Sequence, residues 1–144
     1  MNQQYKYLEE IGLQRNECML NWTDKEYEDD ARVKEWEKEA EEIGFDPREC
    51  WNLDNTMTQW IYSHLRQYVE DAKDVVDLET DYYTYELDGE SYNLREAIDF
   101  ITTRLADYLT YDEIGKPWLE TLEKMEEVRQ GYRMLAEIWQ DLWW

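Results

Sequence analysis

Apolar residues recur at helical spacing in several stretches of this chain, and in one stretch only that spacing gives way to alternation. From Leu53 the apolar series runs Met57, Trp60, Ile61, His64, Leu65 and Tyr68, the i, i+3, i+4, i+7 pattern of an amphipathic helix. It places His64, the single histidine, on the buried face as a core residue. After Asn93, a good N-cap, Leu94, Ala97, Ile98, Ile101, Leu105, Tyr108 and Leu109 form a second stripe. Pro117 opens a third helix, where Trp118, Leu122, Met125, Tyr132, Ala136, Trp139 and Trp143 step by four and three, with Arg129 filling one slot. Val128, Leu135 and Leu142 flank that seam, and Gly131 permits a close crossing or a slight bend.

Two weaker helices precede these. Residues 2–13 predict a short helix ending near Gly12, with Tyr5, Leu8 and Ile11 on one side. The stretch "NWTDKEYEDDARVKEWEKEAEEIGF" begins with a capping box of Thr23 and Glu26. Asp24, Glu26 and Glu28 suit the first turns, and Gly44 supplies the stop. Its apolar stripe is thin: Trp22, Val33, Trp36, Ala40 and Ile43. Period two appears only in "TDYYTYELDGESYNL", where Asp88-Gly89 is a type I′ turn signal. A hairpin pairing 82–87 with 90–94 is expected, and two strands alone need a helix to pack on. The predicted class is therefore mainly α: a helical bundle of four to five helices with one small β-hairpin. A single domain over 1–144 is expected, with an acidic hairpin insertion at about 72–93 and its weakest join at 72–92.

Composition narrows the function classes. Hydrophobic residues make up 42%, with 8 Trp and 12 Tyr, too many for a disordered chain. The 36 acids against 15 bases give a net charge of −21, which repels nucleic acid and anionic membranes and favours basic partners. Cys18 and Cys50 have neither CxxC spacing nor a histidine cluster, and read as reduced thiols. The stretch "MNQQYKYLEEIGLQ" lacks the basic and apolar regions of a signal peptide. No apolar run is long enough to span a bilayer. A cytoplasmic protein, in a host cell's cytoplasm, is expected.

No motif carries chemistry. There is no glycine-rich phosphate loop, and neither cysteine has an identifiable base. Carboxylates abound, but they fall on polar helical faces, where pKa values are not driven apart as acid–base catalysis requires. The chain reads as non-enzymatic, with no catalytic residue and no cofactor. Calcium fails on ligand positions. Placing Gly89 at position 6 of an EF-hand loop puts Thr84, Glu86 and Asp88 at 1, 3 and 5, and Arg95 where a bidentate glutamate belongs. No metal site is expected.

One run of acids stands apart. Between Glu70 and Glu90 lie nine carboxylates and one base, Lys73; elsewhere acids interleave with lysine and arginine, as in "KEWEKEAEE", and make a solvated helix face. As one helix this run would carry a charge per roughly 4 Å, sparser than a DNA duplex at about 1.7 Å but close to one strand at about 3.4 Å. Mimicking both strands needs a second acidic face, such as 26–30. Tyrosines beside the acids suit a protein interface. Two readings stay open at this point: a solvated acidic hairpin, or a partner-binding surface of Asp74, Asp77, Glu79, Asp81, Tyr83, Tyr85, Glu86, Asp88 and Glu90.

Residues 43–71, "IGFDPRECWNLDNTMTQWIYSHLRQYVED", resemble a segment of small uncharacterised bacteriophage proteins. The pattern is carried by Gly44, Phe45, Cys50, Trp51, Leu53, Asp54, Thr56, Trp60, Ile61, Leu65 and Tyr68. "KPWLETLEKMEEV" is similar to the same family's Trp-x-x-x-Leu-x-x-Met helix through Trp118, Leu122 and Met125. The chain departs from that family in residues 72–116 and in the less basic His64-Leu65-Arg66. The resemblance implies a phage or mobile-element origin, a helical core, and core positions at Trp51, Leu53, Trp60 and Ile61. It brings no activity. With the charge, it points to an anti-CRISPR-type inhibitor that occludes, or mimics nucleic acid on, a basic surface of a host defence nuclease. The alternative is a structural or assembly protein forming a homodimer through Trp139, Trp143 and Trp144 of "IWQDLWW".

Overall fold

The computed structural model describes residues 6–13 and 31–143. Contacts gather the chain into two units, Met1–Trp60 and Ile61–Trp144, so the division falls inside a helix rather than at 72–92. Tyr5, Cys18, Trp22, the capping box of Thr23 and Glu26, the acids of 24–30 and Trp144 lie outside the described residues.

In the first unit, α1 (Lys6–Glu10) buries Tyr7 and Leu8. Helix α2 (Ala31–Ile43) buries Val33 alone, as its thin stripe leads one to expect. Gly44, at φ 89°, takes the left-handed position after α2, and its N–H closes on the Ala40 carbonyl at 2.9 Å. Asp46 then caps a 3-10 turn, Pro47–Cys50, accepting from the Arg48 N–H at 2.9 Å. The Arg48 side chain is only 1% exposed. Its guanidinium pairs with both Asp46 oxygens and lies 5.1 Å from the Trp36 ring, which meets Trp51 edge-on at 5.0 Å. Burial alone would raise the Asp46 pKa, but the Arg48 hydrogen bonds and charge outweigh it and hold the carboxyl below its ordinary value.

Helix α3 (Leu53–Ala72) crosses the division. Its buried face matches the expected one only at Leu65 and Tyr68. Thr58, Tyr62, Leu65, Val69 and Ala72 are buried, while Met57 and His64 are exposed and Trp60 is 61% exposed. Trp51 and Leu53, expected in the core, are exposed as well, and Ile61 is half-buried. The reason lies in local satisfaction of polar groups. The Thr58 hydroxyl donates to the Asp54 carbonyl at 2.7 Å, so a nominally polar position is buried without an unpaired group. Tyr62 turns its ring inward and accepts from Arg66 Nη1 at 2.8 Å.

The second unit is an antiparallel helical pair with a hairpin against it. Asn93 and Glu96 form a reciprocal capping box at the start of α4 (Leu94–Leu109). Every apolar position expected inside is buried except Tyr108, which is half-buried. Each large aliphatic side chain so buried contributes about 2 kcal/mol. Helix α5 (Trp118–Ile138) returns alongside. Tyr111 and Thr121 hydroxyls meet at 3.2 Å at one end, and Gly131 packs on Ile101–Leu105 further along. A Cβ on Gly131 would lie 3.4 Å from the Arg104 Cβ.

Thr121, Val128, Gly131, Met134 and Ile138 are the buried face of α5, with Gly131 against Ile101–Leu105 of α4. The expected seam faces outward instead: Trp118 is 67% exposed, Leu122, Ala136, Trp139 and Trp143 are exposed, and Met125 and Tyr132 are half-buried. Strands β1 (Tyr85–Leu87) and β2 (Glu90–Tyr92) pair antiparallel with Tyr85 opposite Tyr92. They are shorter than expected. Asp88 and Gly89 both have positive φ, 51° and 81°, as a type I′ turn requires. The strands pack on α5 and α4. Mainly helical structure with one small hairpin is thus what the chain forms, with five α-helices among the described residues.

Candidate functional site

Residues 73–84 leave the helical path because short polar side chains bond their own backbone. Asp77 Oδ1 accepts from the Glu79 N–H at 3.1 Å, and Thr80 Oγ1 from the Tyr82 N–H at 3.2 Å, local turns that compete with helix. Leu78 points inward, and its carbonyl receives the Arg95 N–H at 2.9 Å, tying the loop to the start of α4. The acids are left outside. Asp74, Asp77, Glu79, Asp81, Glu86, Asp88 and Glu90 are all exposed, and among the described residues none forms an ion pair with lysine or arginine. Lys73, the one base of the run, is held by Glu70 at 2.8 Å, a bond that raises its pKa.

The two tyrosines expected to contact a partner part company. Tyr83 is exposed beside Tyr82, their ring centroids 6.0 Å apart; Tyr82 is 87% exposed. Tyr85 is buried. Its hydroxyl donates to Asp141 Oδ2 at 2.9 Å, bracing β1 to the 3-10 turn after α5. Burial, then this bond and the charge of Asp141, push the Tyr85 phenol up to about 12. The Tyr68 hydroxyl donates to the Trp143 carbonyl at 3.2 Å, and burial and Asp141 raise its pKa as well.

These bonds bring two distant parts of the sequence together around a cavity of about 410 Å³. Tyr82, Tyr83, Tyr85 and Trp143 supply its rings, and Asp77 and Asp141 its carboxylates. Val76, Thr80 and Leu94 complete the lining. Of these, Asp77, Tyr83 and Tyr85 belong to the surface expected from sequence, whereas Trp143 was expected in a homodimer contact. Tyr82 was one of the tyrosines read as suited to an interface; Asp141 and the apolar lining were missed. Asp141 is the only acid after Glu137 in a tryptophan-rich stretch, the one signal that could have marked it. Glu86, Asp88 and Glu90 sit on the hairpin away from the lining.

Among the described residues no group of three or more His, Cys, Asp or Glu could hold a metal ion. Cys50 is an exposed free thiol, and no described helix is long and apolar enough to cross a membrane. No family model matches the chain, and no curated protein or solved structure is significantly similar to it.

Proposed function

We propose that the chain is a non-enzymatic binding protein that docks on a basic surface of a nucleic-acid-handling partner, as a phage-encoded inhibitor of a host defence nuclease. The observation that carries this is the run of seven exposed acids, from Asp74 to Glu90, without ion-pair partners among the described residues. Unneutralised carboxylates steer a cationic surface toward them and penalise an anionic one. Exposed Tyr82 and Tyr83 add the aromatic contacts in which interfaces are enriched. RNA-guided nucleases hold their nucleic acid in positively charged channels, so carboxylates there compete with phosphates. The run is loop and hairpin rather than one helix, which favours occlusion over regular imitation of phosphate spacing.

The test is competition against labelled DNA for a purified, guide-loaded RNA-guided nuclease. The native chain is expected to displace DNA, with an effect that weakens steeply as salt rises. A variant carrying Asp74→Asn, Asp81→Asn, Glu86→Gln and Asp88→Asn should lose the effect with unchanged helical circular dichroism. Equal inhibition by that variant would show that the acids are not the interface.

A second reading, a homodimer, is favoured by exposed Trp118 and Leu122 on α5 and Trp139 just after it. Exposed large apolar side chains, where they gather rather than scatter, suit an association surface. Sedimentation should then show a dimer indifferent to salt and lost on Trp118→Ser with Trp139→Ser; a monomer at all concentrations removes this reading.

A further inference from the structure

We infer that the cavity between the acidic loop and residues 141–143 accepts one arginine side chain of the basic partner. The inference rests on the binding reading above and adds the anchor that would fix the partner's register. Aromatic faces carry a negative quadrupole and attract cations within about 6 Å of their centroids. Four rings, with Asp77 and Asp141 also in the lining, favour a cationic ligand. An anion would meet Asp77 and Asp141 and the −21 net charge. A neutral apolar group would desolvate both carboxylates without compensation, which is unfavourable. A cation gains from rings and carboxylates together.

Arginine fits better than a compact ammonium for two reasons. Its guanidinium is planar and weakly hydrated, so it stacks on tyrosine and tryptophan while donating in a fork to a carboxylate. Its methylene stem suits the apolar side of the cavity, where Val76 and Leu94 lie. Neither carboxylate is spent on a base. Asp77 Oδ1 accepts from the Glu79 N–H, Asp141 Oδ2 accepts from the Tyr85 hydroxyl, and among the described residues no lysine or arginine pairs with either. The rings at the rim are also unusually open. Tyr82 is 87% and Trp143 70% exposed, so a side chain entering between them would cover apolar surface that now faces water. A volume of about 410 Å³ falls in the range of ligand pockets, roughly 300–1,000 Å³, and takes an arginine with part of its flanking backbone. The other acids of the loop and hairpin would attract the partner; the cavity would select the residue that inserts.

The probe is the blocked tripeptide Ac-Gly-Arg-Gly-amide, titrated into the full chain while the Trp143 indole N–H and Tyr82 ring resonances are followed by NMR. A saturable shift of both is expected. The citrulline peptide, neutral but nearly isosteric, should bind about tenfold more weakly, as should the arginine peptide to Tyr82→Ala or Asp141→Asn. Tyr82 is exposed, so its variant tests the cavity without threatening the fold. Equal binding of citrulline and arginine would overturn the proposal, as would shifts confined to Glu86, Asp88 and Glu90. The competition assay separates the two claims. Nuclease inhibition by a native chain that does not bind the arginine peptide, surviving also in Tyr82→Ala, refutes the cavity and keeps the acidic surface. Arginine-selective peptide binding without inhibition of any nuclease keeps the cavity and refutes the proposed target.

Discussion

Tyr85 has a neutral phenol whose proton is held by burial and by the hydrogen bond to Asp141. A folded pKa of about 12 against an ordinary 10 means that the native state keeps this proton after the unfolded chain has lost its own. The contribution to stability is therefore full below pH 10 and disappears as pH rises through about 12. Urea midpoints should fall over that window in the native chain and less in Tyr85→Phe, which itself should cost about 1 to 2 kcal/mol at neutral pH. Equal alkaline loss in both proteins would show that the Tyr85 proton is not the cause. Arg48 illustrates the same point from the other side: a cation buried in an acidic protein persists because Asp46 and Trp36 surround it. Asp46→Ala should cost about 3 kcal/mol, since it leaves the guanidinium without its carboxylate. A loss below about 0.5 kcal/mol, the size of a surface change, would mean that the pair is not structural.

Helices α4 and α5 are held by a close crossing at Gly131. A methyl group there would sit at ordinary contact distance from the Arg104 Cβ, and alanine is favoured over glycine in a helix by about 1 kcal/mol. Gly131→Ala is thus expected to raise stability by about 0.5 to 1 kcal/mol, whereas Gly131→Leu should destabilise by about 1 to 3 kcal/mol through overpacking. Thermal unfolding of the two variants checks both signs; a stable leucine variant would mean that the helices do not cross closely. At the other end of α4, the Asn93–Glu96 box explains why the hairpin stops at Tyr92: the cap takes over the backbone groups that a longer strand would use.

Across the whole chain, the net charge of −21 repels itself, and salt screens that repulsion. Raising NaCl from about 0.02 to about 0.3 M should lift Tm by about 4 °C, equivalent to about 1 kcal/mol, while the proposed partner binding weakens over the same range. A Tm that is flat or falling would show that the acids are locally compensated in the fold. The opposite signs separate charge acting on folding from charge acting on binding.

Short-range chemistry made much of this protein legible in advance: the Asn93 cap, the Asp88-Gly89 turn, the α4 stripe and the uncompensated acids from Asp74 to Glu90 all depend on neighbours a few residues apart. The orientation of α3 and α5 was not legible. Both helices carry aromatic and aliphatic residues on more than one face, so hydropathy offers two buried faces. Packing against α4, with Gly131 on Ile101–Leu105, sets the buried face of α5, while in α3 the self-satisfied Thr58 shows why a polar position could turn inward. The cavity depends on Tyr85 meeting Asp141, 56 residues apart, a pairing that no local spacing encodes. The acids of the loop and hairpin were readable from the chain as an uncompensated charge; only the fold set one of them, Asp77, beside the unforeseen Asp141 among four rings.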